Sequence, residues 1–203
     1  MIAIVDYGMG NLRSVHKAFE KAGFPALVTQ RAEELRQADG LVVPGVGAFK
    51  KAMENLENLN LIKPIVEFIE KGKPFLGICL GLQLLFAGSE EFGWQRGLSI
   101  FPGRVVRFRE ANLKIPHIGW NTIKIKKQVP IFEGLADGAY FYFVHSYYPV
   151  PENEEIVAAT AWYGLEFTSA IAWGNLFALQ FHPEKSQTAG LQIIKNFGHL
   201  VYQ

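Results

Sequence analysis

Over the first half of the chain, short apolar runs alternate with stretches of helical periodicity. The run IAIVDY at 2–7 predicts a strand that ends at Gly8. Leu12, Val15, Ala18, Phe19 and Ala22 then recur at helical spacing, with Asn11 placed to cap that helix and Gly23 to stop it. Residues 26–29 (ALVT) and 40–45 (GLVVPG) predict a second and third strand, the third following a short polar helix. Residues 53–72 predict helical pieces interrupted near Pro64. PFLGI predicts the next strand, and LGLQLLFAG the next helix. Short apolar strands separated by helices predict a parallel sheet covered on both faces.

The pattern changes after about Ser99. RVVRFRE, HIGWNTIKIKK, AYFYFVHSYYPV, EIVAATAWYG and TSAIAWGNLFALQFHPE are strand-rich and separated by Gly, Pro and Asn. WYG and WGN predict hairpin turns. A closing helix from about Thr188 carries Leu191, Ile194, Phe197, Leu200 and Val201 on one face. No linker, repeat or low-complexity stretch interrupts the chain. The expectation is one α/β domain over residues 1–203: a mostly parallel central sheet flanked by helices, with an additional antiparallel, strand-rich part.

Composition narrows the possibilities. Of 203 residues 49% are apolar and 19% charged, a composition that folds. A net charge of +1 provides no field for nucleic acid or an anionic membrane. The basic residues Arg104, Arg107, Arg109, Lys124, Lys126 and Lys127 alternate along predicted strands and read as one solvated sheet face. A single cysteine rules out an internal disulfide and suggests a reducing compartment. The opening MIAIVDYGMG lacks the basic and long apolar regions of a signal peptide, and no apolar run reaches the ~18 residues of a membrane span. A soluble cytoplasmic protein is expected.

That lone cysteine, Cys79, stands in Gly77-Ile78-Cys79-Leu80-Gly81, between a predicted strand and a predicted helix. This is the cysteine form of a nucleophile elbow. The turn holds the nucleophile in a strained backbone conformation, and flanking glycines let neighbouring backbone pass close by. It leaves the sulfur at the carboxyl edge of the sheet and at a helix N-terminus, with the Leu80 amide facing whatever the sulfur attacks. A nucleophilic thiol needs a base and a group to orient it. His182-Pro183-Glu184 offers both, since residues i and i+2 of an extended segment share a face. His145 in FVHSYY competes as base but has no carboxylate close in sequence. His16 and His199 read as surface or core-edge residues, and His117 as structural or interfacial. PGVG at 44–47 follows the third strand, and the glycines around Val46 let its peptide turn an N–H towards a developing oxyanion. No spacing suggests a metal site, a phosphate loop or a cofactor.

PGVG, GICLG and FHPE, in this order, resemble the class I glutamine amidotransferases. The resemblance implies an α/β sheet flanked by helices, with Cys79 as nucleophile, His182 as base and Glu184 as its orienter. It further implies an oxyanion region at Val46, Gly47 and Leu80, and substrate contacts from Gln83, Glu91 and the backbone of Ser146 and Tyr147. DYGMGNLRSV, PGVGAF, HIGWN and FYFVHSYY extend the resemblance over nearly the full length to the glutaminase subunits of imidazole glycerol phosphate synthases. Those subunits release ammonia from glutamine in histidine biosynthesis, without a cofactor. They pass it to a (β/α)8 cyclase subunit in a heterodimer. The chain begins at the amidotransferase region and ends soon after the H-P-E helix, so a separate synthase partner is expected. Asn11, Trp120, Asn121 and Tyr142 are the implied partner surface. The alternatives are the glutaminase subunit of another synthase, or a γ-glutamyl hydrolase on the same scaffold.

Overall fold

The continuous apolar runs become central strands, because a strand covered on both faces needs apolar side chains pointing both ways. The computed structural model describes residues 1–109 and 113–203. Strands β1 (Ile2–Val5), β2 (Ala26–Thr29), β3 (Gly40–Gly45) and β4 (Phe75–Cys79) alternate with helices α1 (Leu12–Ala22), α2 (Ala32–Gln37), α3 (Phe49–Asn58) and α4 (Ile62–Glu70). Alternate residues of one strand feed two different cores. Ile2, Ile4, Val42, Leu76 and Ile78 face one, with Phe19 of α1; Ala3, Val5, Leu41, Val43 and Phe75 face the other, with Leu56 and Phe68 of α3 and α4. Asn11 caps α1, accepting from the Ser14 N–H at 3.2 Å, and Gly23 ends it in the left-handed conformation at φ +89°. The helical break expected near Pro64 falls earlier, at 59–61. Pro64 itself sits in the first turn of α4, where no intrahelical N–H is needed.

After β4 comes α5 (Leu80–Gln83), then β5 (Phe86–Ser89), β6 (Gln95–Arg96), β7 (Phe101–Arg107), β8 (His117–Thr122), β9 (Lys124–Ile125), β10 (Tyr140–His145), β11 (Tyr147–Pro151), β12 (Val157–Tyr163), β13 (Leu165–Trp173), β14 (Leu176–Leu179) and α6 (Gln187–Val201). The eight-stranded sheet runs β2-β1-β3-β4-β14-β13-β12-β9. It is parallel from β2 to β14 and antiparallel beyond, so the expected α/β architecture with an antiparallel extension is present. The turns at Gly164 and Gly174 make the two predicted hairpins. A four-stranded sheet, β11-β7-β5-β6, and a two-stranded ribbon, β8-β10, complete the fold. Among the described residues no helix is long and apolar enough to cross a membrane.

Two further expectations are corrected and one is refined. The helix after Cys79 has one turn, not nine residues: Phe86–Ser89 is a strand paired with β7, which buries Phe86 against Phe101. AYFYFVHSYYPV is strand-rich as expected, and forms two strands in two sheets, broken at Ser146. The basic residues do not share one face. Arg104 and Arg109 reach Glu90 beside β7, whereas Lys126, next to β9, reaches Glu166. Glu110, the last residue of RVVRFRE, lies outside the described residues.

Candidate active site

Three neighbouring parallel strands deliver the site. β4 lies between β3 and β14, with Gly45 level with Cys79 and Leu179 level with Ile78. Their carboxyl ends therefore bring PGVG, Cys79 and the segment Gln180–Glu184 to one edge of the sheet, where open α/β sheets bind ligands. Cys79 has φ +55° and ψ −105°, a conformation that a non-glycine residue holds only under constraint. The constraint comes from its glycines. A Cβ on Gly81 would overlap the Val43 carbonyl oxygen of β3. One on Gly77 would lie 2.9 Å from the Gly81 carbonyl oxygen and 3.0 Å from Ala178 Cβ. The turn can sit this close to β3 and β14 only without those side chains.

His182 follows β14, which ends at Leu179, three residues before the expected H-P-E end of the strand. Its Nδ1 lies 2.8 Å from Glu184 Oε1, and both side chains are almost fully buried. A 3-10 turn over Pro183–Lys185, not extended spacing, folds the carboxylate back to the ring. Burial pushes the imidazole pKa down. The nearby charges of Cys79 and Glu184 and the hydrogen bond to Glu184 outweigh it and raise the pKa to about 10. His182 Nε2 is buried, and among the described residues it has no hydrogen-bond partner; catalytic contacts of this kind often tighten only once substrate is bound. His145 cannot compete as base, because both its nitrogens are occupied: Nδ1 by the Tyr147 carbonyl at 2.9 Å and Nε2 by His117 Nδ1 at 3.0 Å.

Cys79 opens into a cavity of about 380 Å³. Val46, Gly47, Leu80, Gln83, Glu91 and residues 144–147 are among those that line it. Gly47 adopts φ +103°, where a side chain would be strained. Gln83 donates to the Tyr147 carbonyl at 3.0 Å and to Gln180 Oε1 at 3.1 Å. Glu91 accepts from the Phe49 N–H at the start of α3 at 2.6 Å, and its charge at the cavity wall suits an ammonium group. On the ribbon, Trp120 and Tyr142 face each other on one exposed side, with ring centroids 6.1 Å apart. Asn121 points the other way, to His117 and the Trp162 carbonyl, and Asn11 is engaged in capping α1.

Sequence reasoning missed three residues at the site. Gln180 is fully buried and points its amide nitrogen at the Cys79 sulfur, 3.7 Å away. It lies two residues before His182, so the i, i+2 rule applied to His182 and Glu184 also singles it out. Lys185 lines the cavity and stands over the Tyr142 ring at 5.7 Å. The third is Tyr7. Its hydroxyl is buried, occupies the space a Gly45 side chain would take, and has no hydrogen-bond partner among the described residues. Burial, and then the charge of Cys79, raise its pKa. Tyr7→Phe should therefore stabilise the fold by about 1–2 kcal/mol, seen as a higher urea midpoint, because the native state keeps this hydroxyl from water unpaired.

Burial lowers the pKa of His145 to about 3 and that of His117 to about 4. Unfolded histidine takes a proton near pH 6.5, so below that pH the unfolded chain binds more protons. Their contribution to stability is complete above about pH 6.5 and falls towards pH 3, by up to about 1.4 kcal/mol per pH unit for each ring. Urea unfolding across this range should show the fall, and His145→Gln should make it shallower.

The sequence profile of the family described as "Glutamine amidotransferase class-I" matches residues 3–200. A relative from Syntrophotalea carbinolica, named imidazole glycerol phosphate synthase subunit HisH, is 57% identical over 98% of this chain and 100% of its own. One of the same name from Geobacter sulfurreducens is 53% identical over 98% of both chains. Among solved structures, a glutamine amidotransferase superposes over the full length of both chains with a TM-score of 0.74 at 21% identity. The glutaminase domain of Trypanosoma brucei CTPS, solved with bound acivicin, superposes over 99% of this chain and 93% of its own, with a TM-score of 0.69 at 16% identity. The structures share the fold, and with the full-length profile match and relatives above half identity, the chain belongs to the class I glutamine amidotransferases.

Proposed function

We propose that this chain is the glutamine amidotransferase subunit of an imidazole glycerol phosphate synthase and acts in histidine biosynthesis. The observation that carries the reading is the meeting of Cys79, the His182–Glu184 pair and PGVG at three adjacent strand ends beside one cavity. Full-length relatives carrying that subunit name support it.

Glutamine occupies the cavity with its side-chain amide at Cys79. Glu91 holds its ammonium group, backbone N–H groups of Ser146 and Tyr147 receive its carboxylate, and Gln83 borders it. The Cys79 thiolate bonds to the amide carbon, and the carbonyl electrons move to oxygen. The N–H groups of Leu80 and Gly47 receive that charge once the Val46 peptide has turned. Imidazolium at His182, oriented by Glu184, gives a proton to the amide nitrogen as the C–N bond breaks. Ammonia leaves, and a glutamyl thioester remains on Cys79. Water then attacks the thioester, a proton returns to His182, and glutamate departs. Replacing His182 by Ala should reduce turnover more than Glu184→Gln, because an oriented base still exists in the second variant.

The ammonia goes to the cyclase subunit, read as a (β/α)8 barrel in a heterodimer with this chain. Trp120 and Tyr142 supply aromatic contact area; Asn11 and Asn121, read with them as the partner surface, have side chains already engaged within the chain. The chain is read as one domain over residues 1–203, working in the cytoplasm. The test is ammonia release from glutamine by the chain alone and with the cyclase subunit and its nucleotide ligand. Strong stimulation by both supports the assignment. High activity unaffected by the partner would keep a glutaminase but reject this synthase.

A further inference from the structure

The ribbon β8-β10 holds two buried histidines that the chemistry of glutamine hydrolysis does not use. Their hydrogen bonds fix where every proton sits. The Tyr147 carbonyl can only accept, so the His145 Nδ1 facing it at 2.9 Å carries the hydrogen. In a neutral ring Nε2 is then bare, and the His117 Nδ1 lying 3.0 Å away must donate to it. That leaves His117 Nε2 bare, facing the Asn121 amide nitrogen at 3.3 Å. The same nitrogen donates to the Trp162 carbonyl at 2.9 Å, while Asn121 Oδ1 accepts from the Thr122 N–H. Every bond runs in a consistent direction. An extra proton on either ring would set two N–H groups against each other.

The surroundings favour the neutral pair. Phe108 and Phe167 pack against His145 at 5.4 and 5.3 Å between ring centroids, and His117 stacks on Phe143 and Tyr163. A fully satisfied polar network among aromatic rings favours one arrangement of its members. The chain of bonds continues past Tyr147. Its carbonyl also accepts from Gln83, Gln83 donates to Gln180, and Gln180 points at the Cys79 sulfur. The Val144–Tyr147 wall of the cavity is therefore tied to β8 on one side and to the nucleophile on the other. The outer face of β8 carries the exposed Ile118 and Trp120.

We propose that His117 and His145 form a neutral, directional hydrogen-bond relay that positions the Val144–Tyr147 wall for glutamine and fixes it to strand β8. Both are positioning residues, since His117 acts on the substrate only through His145 and Tyr147. The inference rests on the reading that glutamine occupies this cavity.

The first test is 15N NMR of the full-length wild-type chain at neutral pH. Both rings are expected as the Nδ1–H tautomer, although free imidazole side chains favour Nε2–H. The second test is kinetic, with the chain in complex with its cyclase partner. His117→Phe removes the donor and should raise KM for glutamine about tenfold with little change in kcat, as expected for one lost buried hydrogen bond. His117→Asn restores a donor near Nδ1 and should recover most of that loss. A charged ring, or Nε2–H on His145, would overturn the relay even if the variants fail to fold. Folded variants with unchanged KM would overturn its positioning role. A wild-type chain with both tautomers but no glutaminase activity would support the relay and reject the glutaminase reading.

Discussion

Replacing Cys79 by alanine should abolish ammonia release from glutamine, by at least about 10⁴-fold, while leaving the fold and partner binding in place. The size of the effect follows from the chemistry. Cys79 is the only cysteine in the sequence, and in the proposed mechanism the other cavity residues handle charge and protons rather than the amide carbon. In complex with the cyclase subunit, the variant should still support the synthase reaction when ammonia is supplied directly. Loss of the glutamine-dependent reaction with retention of the ammonia-dependent one would separate the nucleophile from the rest of the assembly. A variant that keeps most of its turnover would remove Cys79 from the mechanism.

The second large effect concerns a residue that touches no substrate. Gly81→Ala should cost on the order of 3 kcal/mol, because its Cβ would overlap a backbone oxygen of β3 that has no room to retreat inside a central strand. The elbow must then lift off the sheet, so turnover should fall with stability. Gly93→Ala is the control. It has left-handed backbone at φ +93° and, among the described residues, nothing within 4 Å of the added carbon, so it should cost only about 1 kcal/mol of local strain. Urea midpoints of the two variants compare overlap against strain directly. Equal losses would show that the close approach of Gly81 to β3 is not what holds the turn.

The sequence exposed the site where local chemistry is unusual and obscured it where distant segments meet. Cys79 between two glycines, and His182 with Glu184 nearby, are visible because each pairing lies within a few residues. The apolar runs of β1, β3 and β4 are visible for a related reason: full burial leaves no polar alternation to confuse with a surface strand. Phe86–Ser89 was hidden because LGLQLLFAG suits either element, and the choice of strand is made by pairing with β7 and β6. The break at Ser146 was hidden because aromatic and β-branched residues continue through it. His117 and His145 lie 28 residues apart in sequence and become a pair only through the register of β8 with β10. The lesson of Gln180 differs, since the spacing rule that selected His182 and Glu184 reaches it as well.

The central claim is that the carbon of the glutamine side-chain amide becomes bonded to the Cys79 sulfur. A diazoketone analogue of glutamine tests this directly. Its ketone carbon takes the place of the amide carbon and its diazo-bearing carbon that of the amide nitrogen. A proton adds to the diazo-bearing carbon, the Cys79 sulfur bonds to it, dinitrogen leaves, and a stable thioether remains. Peptide mapping by mass spectrometry should find a single adduct on the peptide carrying Cys79, formed more slowly when glutamine is present. An adduct on another residue, or none from a chain that still releases ammonia from glutamine, would contradict the account.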